Sequence, residues 1–99
     1  FDREPFPALY ELFAGRITLD DFFLGLGQRR LATEPKVMFF AHYYAGLHEQ
    51  LAGHRAVARA YVREAVANPW ARTVDNGPTY MWYVARLHHE ALAPDDESR

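Results

Sequence analysis

Hydrophobic and polar positions follow a helical period along most of the chain. Apolar residues recur three or four positions apart in successive segments, and no segment alternates apolar and polar residues for long enough to predict a strand. Prolines, glycines and capping residues separate the segments. The predicted helices span about residues 6–14, 19–31, 35–52, 54–67 and 79–92. The pattern therefore predicts an all-α fold of about five helices, whose short connections favour antiparallel neighbours.

Local signals mark the ends of these predicted helices. Thr18, with Asp21 three residues later, predicts a capping box at the start of the second helix. Gly25 and Gly27 inside that helix each cost about 1 kcal/mol relative to alanine, so they predict close helix packing or a bend. Residues 33–35 supply a threonine cap, an acidic residue and a first-turn proline for the third helix.

The third and fourth predicted helices differ in character. The third is apolar almost all round, so we expect it to be the central element. The fourth is rich in alanine and carries Arg55, Arg59 and Arg63 at every fourth position. This arginine row suits either the carboxylates of an acidic partner or, our preferred interpretation, a solvated helix face. Residues 70–78 are predicted to be a loop, and residues 94–99 a flexible acidic tail.

Composition limits the classes of protein that the chain can represent. Its 99 residues, 49% hydrophobic and 15% aromatic, predict one globular domain over residues 1–93. The net charge of -2 argues against a nucleic-acid partner, and no apolar run approaches the roughly 18 residues of a membrane span. No signal peptide is recognisable, so a cytoplasmic location is favoured, with the periplasm as the alternative if a signal has been removed.

Residues suited to catalysis or metal binding are scarce. The chain has no cysteine, one serine and one lysine, which leaves almost no candidate nucleophile. Its five histidines lack the four-residue spacing that places two metal ligands on one helix face. Asp20 and Asp21 are explained by the helix dipole at a first turn. We therefore expect no enzymatic activity, no metal and no cofactor.

Small residues recur at set distances around the junction between the third and fourth helices. Gly46 lies seven residues before Gly53, and Ala58, Ala65 and Pro69 follow. This pattern resembles a tetratricopeptide repeat, in which two antiparallel helices carry small residues where they cross, a glycine at the turn and a proline at the end. The resemblance implies that Gly46 and Ala58 let the helices approach, and that Ala65 faces the next repeat.

The resemblance covers about residues 39–69, roughly a third of the chain. It departs from the family at three positions, where His42, Ala45 and Glu49 replace the usual Trp, Leu and Tyr. It implies a single domain of stacked helical hairpins, a fragment of a right-handed α–α superhelix. Some small bacterial proteins of this family act as adaptors, so the resemblance also implies another protein as the partner. Membrane anchoring is not carried over to this chain, because it has no cysteine to carry a lipid.

The resemblance further implies a groove lined by the third and fifth helices, which would bind a peptide or helix of the partner. The residues assigned to this groove are Phe40, Tyr43, Leu47, Gln50, Leu51, Trp82, Arg86 and His89. The other interpretation of the aromatic residues among them is that they fill the core. Two further functions stay open: a helical regulator that binds a small molecule or metal with His42 and His88, and a structural subunit that self-associates through the terminal helix.

Overall fold

The computed structural model describes residues 3–73 and 79–93, without the side chains of Thr73, Thr79 and Tyr80. These described residues form helices and contain no strand, which confirms the all-α prediction. The helices are α1 (Phe6–Phe13), α2 (Leu19–Gln28), α3 (Pro35–Leu51), α4 (Arg55–Ala67), α5 (Trp70–Thr73) and α6 (Thr79–Ala91). The predicted bounds of the five long helices agree with these to within three residues.

The prediction of a continuous loop over residues 70–78 is wrong for its first part, because α5 occupies it. Asn68 and Pro69 start this short helix: the Asn68 side-chain oxygen accepts a hydrogen bond from the Trp70 N–H at 3.0 Å. The Asn68 amide nitrogen also donates to the Pro35 carbonyl at 2.9 Å, which joins this corner to the start of α3. Residues 74–78 and the predicted tail lie outside the described residues.

Helix α2 begins as predicted and ends early. The Thr18 hydroxyl accepts from the Asp21 N–H at 3.0 Å, and the Asp21 carboxylate accepts from the Thr18 N–H at 3.3 Å, which confirms the capping box. At the other end Arg30 adopts a left-handed φ of 61°. The N–H of Leu31 then donates to the Leu26 carbonyl at 2.8 Å, closing a Schellman turn that stops the helix.

The predictions of close helix packing at Gly25 and Gly27 and of a cap at Thr33 are wrong, whereas the alternative of a bend at the glycines stays a prediction. A side chain added at Gly27 would meet nothing within 4 Å, and one at Gly25 would meet only the Arg29 side chain of the same helix. Among the described residues, no neighbouring helix therefore packs closely on these glycines. The N-cap of α3 is Glu34 rather than Thr33, and its side chain makes no capping hydrogen bond.

Helices α3 and α4 form a tightly crossed antiparallel hairpin. Gly53 turns the chain with a left-handed φ of 86°. At the crossing, a Cβ on Gly46 would lie 2.5 Å from Val62 Cγ2 and 3.1 Å from the Ala58 carbonyl oxygen. The prediction that Gly46 and Ala58 allow the two helices to approach is therefore confirmed.

The core consists of two hydrophobic clusters, and α3 contributes to both. Phe39 and Tyr43 pack with residues of α4, α5 and α6, whereas Val37 and Ala41 pack with residues of α1 and α2. A helix that is covered on two sides needs apolar residues around most of its circumference. This placement agrees with the central position expected for α3.

Candidate functional site

One side of α3 carries four large apolar side chains, three at the edge of the core and one exposed. Phe40, Tyr44, Leu47 and Leu51 fall within an arc of about 60° at roughly 100° per residue. Phe40, Tyr44 and Leu47 are half-buried against the core, whereas Leu51 is 81% exposed. Three of the predicted groove residues, Phe40, Leu47 and Leu51, thus share one stripe.

Helix α1 borders this stripe on one side. The Phe6 ring lies 5.4 Å from Phe40 and 6.0 Å from Tyr44, between ring centres. Seven residues later, the Phe13 ring lies 5.4 Å from the ring of His48. Because these contacts advance together along both helices, α1 and α3 run side by side in the same direction.

Aromatic residues of α1 form a surface that the sequence analysis missed. A cavity of about 350 Å³ is lined by Phe6, Leu9, Tyr10, Phe13 and Tyr44. Tyr10 and Phe13 are exposed although Leu9 and Leu12 of the same helix are buried. The signal was present as aromatic residues at positions 6, 10 and 13, a second helical stripe beside the buried leucines.

Helix α6 borders the stripe on the other side, through His88. The Tyr43 and His88 rings lie 5.7 Å apart, edge to face, and the Gln50 side-chain oxygen contacts His88 Nε2. Tyr43 is only 6% exposed, and its burial raises the pKa of its hydroxyl. Burial likewise lowers the pKa of His88. Of these predicted residues, Gln50 is exposed, whereas Tyr43 belongs to the core.

Of the predicted residues of α6, Trp82 is directed toward α4. The Trp82 indole N–H donates to the Val66 carbonyl of α4 at 2.8 Å. The Arg86 guanidinium lies 5.9 Å from the Trp82 ring centre, and its Nε lies 3.5 Å from a Glu90 carboxylate oxygen. His89 is half-buried on the same helix. Trp82, Arg86 and His89 thus share one side of α6 at roughly 100° per residue, whereas the residue of α6 that contacts Gln50 is His88.

Helix α6 adds two exposed apolar residues. Leu87, which is 64% exposed, and Val84 flank His88 at neighbouring positions of the helix. Leu87 and Leu51 are each next in sequence to one member of the contact between His88 and Gln50. We define the apolar face as the exposed or half-buried residues of α1, α3 and α6 described above: Tyr10, Phe13, Phe40, Tyr44, Leu47, Leu51, Val84 and Leu87.

His42, the alternative metal or small-molecule residue, lies away from the apolar face. Its ring lies 5.7 Å from Phe23 and 6.3 Å from Tyr61, between ring centres. Burial lowers the pKa of His42, and the charge of Glu64 partly opposes this. Within residues 3–73 and 79–93, no three histidine or acidic side chains converge as a metal site, and no helix has the length and apolar character needed to cross a membrane.

No family model, no curated protein and no solved structure matches this chain.

Proposed function

We propose that the protein is a non-catalytic interaction module that binds an apolar peptide or helix of another protein on the apolar face. The observation that carries the proposal is the exposure of Leu51 on α3 and Leu87 on α6, each next in sequence to a residue of the contact between Gln50 and His88. Beside them, Phe6, Tyr10, Phe13 and Tyr44 line one cavity, and contiguous apolar surface on a small protein commonly marks a site of interaction. Burying one leucine side chain fully contributes about 1.5–3 kcal/mol, so a partner that covers both gains substantial free energy.

The chemistry of the face suits recognition of a protein segment. Tyr10, Phe13 and Tyr44 offer large ring surfaces beside the leucines, and tyrosine adds a hydrogen-bonding hydroxyl. Gln50 and His88 place polar groups among the apolar ones. An amphipathic helix or extended peptide with two or three large apolar anchors matches such a surface.

A tetratricopeptide-like stack is the architecture that we propose for this module. It is supported by the close crossing at Gly46 and by the glycine turn at Gly53. It is also supported by the shared direction of α1 and α3, since the first helices of successive repeats run parallel in such a stack. In this arrangement α1, α3 and α6 would be first helices, and their common side would be the binding surface.

Self-association is the second candidate function, because the same exposed leucines could be covered by a second copy of the chain. This candidate predicts a mass that falls on dilution, whereas binding of another protein predicts a monomer in isolation. Both candidates predict that the leucines of the apolar face are needed.

The proposal can be tested by affinity capture from a lysate of the source cells. The test variant is Leu51→Glu combined with Leu87→Glu, which places two charges on the apolar face without touching the core. The matched control is Leu24→Glu, because Leu24 of α2 is 61% exposed and does not belong to the face. Tyr43 is not a suitable test position, since truncation of a buried tyrosine would damage the core.

We expect the wild type and the Leu24→Glu variant to capture the same protein, and the Leu51→Glu, Leu87→Glu variant to lose it. Circular dichroism must show equal helix content in all three proteins. Capture that survives the double substitution would refute the proposed face. A concentration-dependent dimer that the double substitution abolishes, without a captured partner, would assign the face to self-association instead.

A further inference from the structure

A second surface, on α4, has a chemistry quite different from that of the apolar face. Arg55, Arg59 and Arg63 repeat every four residues along one side of this helix. Together with three apolar residues they line a cavity of about 320 Å³, which we call the arginine groove. The apolar residues are Ala56, Ala60 and Leu92.

Two arginines of the groove, Arg55 and Arg63, keep their positive charge unneutralised. No carboxylate of residues 3–73 and 79–93 forms an ion pair with either of them. Arg55 donates to the backbone carbonyls of Ala91 at 2.8 Å and Ala93 at 3.4 Å. The charge of Glu64, the acidic neighbour on α4, instead raises the pKa of His42 on α3, partly opposing the effect of burial.

The Arg55 guanidinium is held in place by this anchoring. Its two carbonyl partners belong to the end of α6, where the orphan carbonyls of a helix favour a positive charge. A guanidinium has five N–H donors, so the two bonds that Arg55 donates to carbonyls leave further donors for a ligand. An arginine fixed in this way loses less side-chain entropy when an anion binds.

The floor of the groove determines which anion fits. Ala56 and Ala60 are small and exposed, and Leu92 is buried beneath them. Small side chains let another helix approach closely, and the apolar floor matches the methylene groups of acidic side chains. The protein as a whole carries a net charge of -2, which disfavours an extended polyanion such as nucleic acid.

The spacing of the row matches that of a second helix. Residues four apart on a helix are displaced by about 6 Å along its axis, so the row spans about 12 Å. Glutamates at every fourth position of a partner helix repeat at the same distance. We infer that the arginine groove binds an acidic helical segment of a partner protein, with carboxylates at positions i and i+8 facing Arg55 and Arg63.

The inference can be tested with a labelled peptide and the full chain. The probe is a helical peptide of alanine and glutamine with glutamates at i and i+8, and its affinity is measured by fluorescence anisotropy. A peptide of equal composition with the glutamates spread around the helix is the peptide control. The protein variant is Arg63→Gln, and the matched control is Arg30→Gln, an exposed arginine beyond the end of α2.

We expect the matched peptide to bind the wild-type protein. Added salt should weaken this binding. Arg63→Gln should weaken binding by about fivefold to tenfold, as expected for a solvent-screened charge-assisted hydrogen bond. Arg30→Gln should leave the affinity unchanged, and the control peptide should bind more weakly. Circular dichroism checks that both variants keep the helix content of the wild type.

The chain has its own acidic residues at positions 95, 96 and 97, which follow Ala93 in the sequence. The titration is therefore repeated with these three acids changed to their amides. If the peptide binds only the protein with these amides, and Arg63→Gln weakens that binding, the result also supports the inferred role of the arginine groove. The inference is overturned if neither protein binds the matched peptide, if Arg30→Gln weakens binding as much as Arg63→Gln, or if duplex DNA binds more tightly than the peptide.

Discussion

The crossing of α3 and α4 at Gly46 gives the sharpest prediction about stability. In a Gly46→Ala variant the new Cβ would lie 2.5 Å from Val62 Cγ2 and 3.1 Å from the Ala58 carbonyl oxygen. Val62 is fully buried and stiff at its branched Cβ, and Ala58 presents backbone, so neither can yield easily. The two helices must therefore separate locally.

The size of the effect follows from two opposing contributions. Overpacking of a tight core costs about 1–3 kcal/mol, and a clash with backbone and a stiff side chain belongs at the upper end. Replacing glycine by alanine within a helix contributes about 1 kcal/mol in the other direction. We expect a net loss of about 2 kcal/mol in the free energy of unfolding, or roughly 8–16 °C in Tm for a domain of this size.

The assay is urea unfolding followed by circular dichroism, with Gly27→Ala as the control of opposite sign. A Cβ at Gly27 meets nothing within 4 Å, so only the helix-propensity gain remains, about 0.5 kcal/mol near a helix end. The double variant Gly46→Ala, Val62→Ala should lose less free energy of unfolding than the two single variants lose together. The reason is that removing the valine methyl relieves the clash. A Gly46→Ala protein as stable as the wild type would refute the close crossing.

Three further predictions concern other parts of the fold. Trp82→Phe removes the hydrogen bond to the Val66 carbonyl and should lower the free energy of unfolding by about 1 kcal/mol in the same urea assay. Thr18→Ala should cost about 1 kcal/mol because it removes a cap, whereas Thr33→Ala should change stability little, and equal effects would contradict the capping assignment. Burial lowers the pKa of His42 below its usual 6.5, so the unfolded chain binds more protons between the two pKa values and stability should fall as pH drops through this window. Urea midpoints at about pH 7.5 and about pH 5.5 measure this, and His42→Phe should reduce the difference.

The helices could be predicted because their signals are local. The capping box at Thr18, the glycine turn at Gly53 and the helical period of the apolar residues each act within a few positions of the chain. Helix α5 escaped prediction because four residues give no periodic pattern, and its start depends on the Asn68 side chain. The early end of α2 depends on a left-handed arginine, Arg30, a conformation that sequence seldom signals outside glycine and asparagine.

The surface could be predicted only in part, because exposure depends on which helices pack together. Tyr43 and Leu51 both lie on α3, and periodicity alone does not show that His88 covers the first and that the second stays exposed. Trp82 was assigned to the groove from its position on the last helix, but its indole bonds to α4. The aromatic stripe of α1 was missed because its neighbouring leucines account for the helical period without it.

The most direct test of the proposed protein-binding role is site-specific photocrosslinking in a lysate of the source cells. A photoreactive diazirine side chain is placed at Leu51 on the apolar face and, in a matched protein, at Leu24 on α2. We expect a covalent adduct with one other protein from position 51 that is absent from position 24. Adducts only with a second copy of this chain, or equal adducts from both positions, would contradict that role.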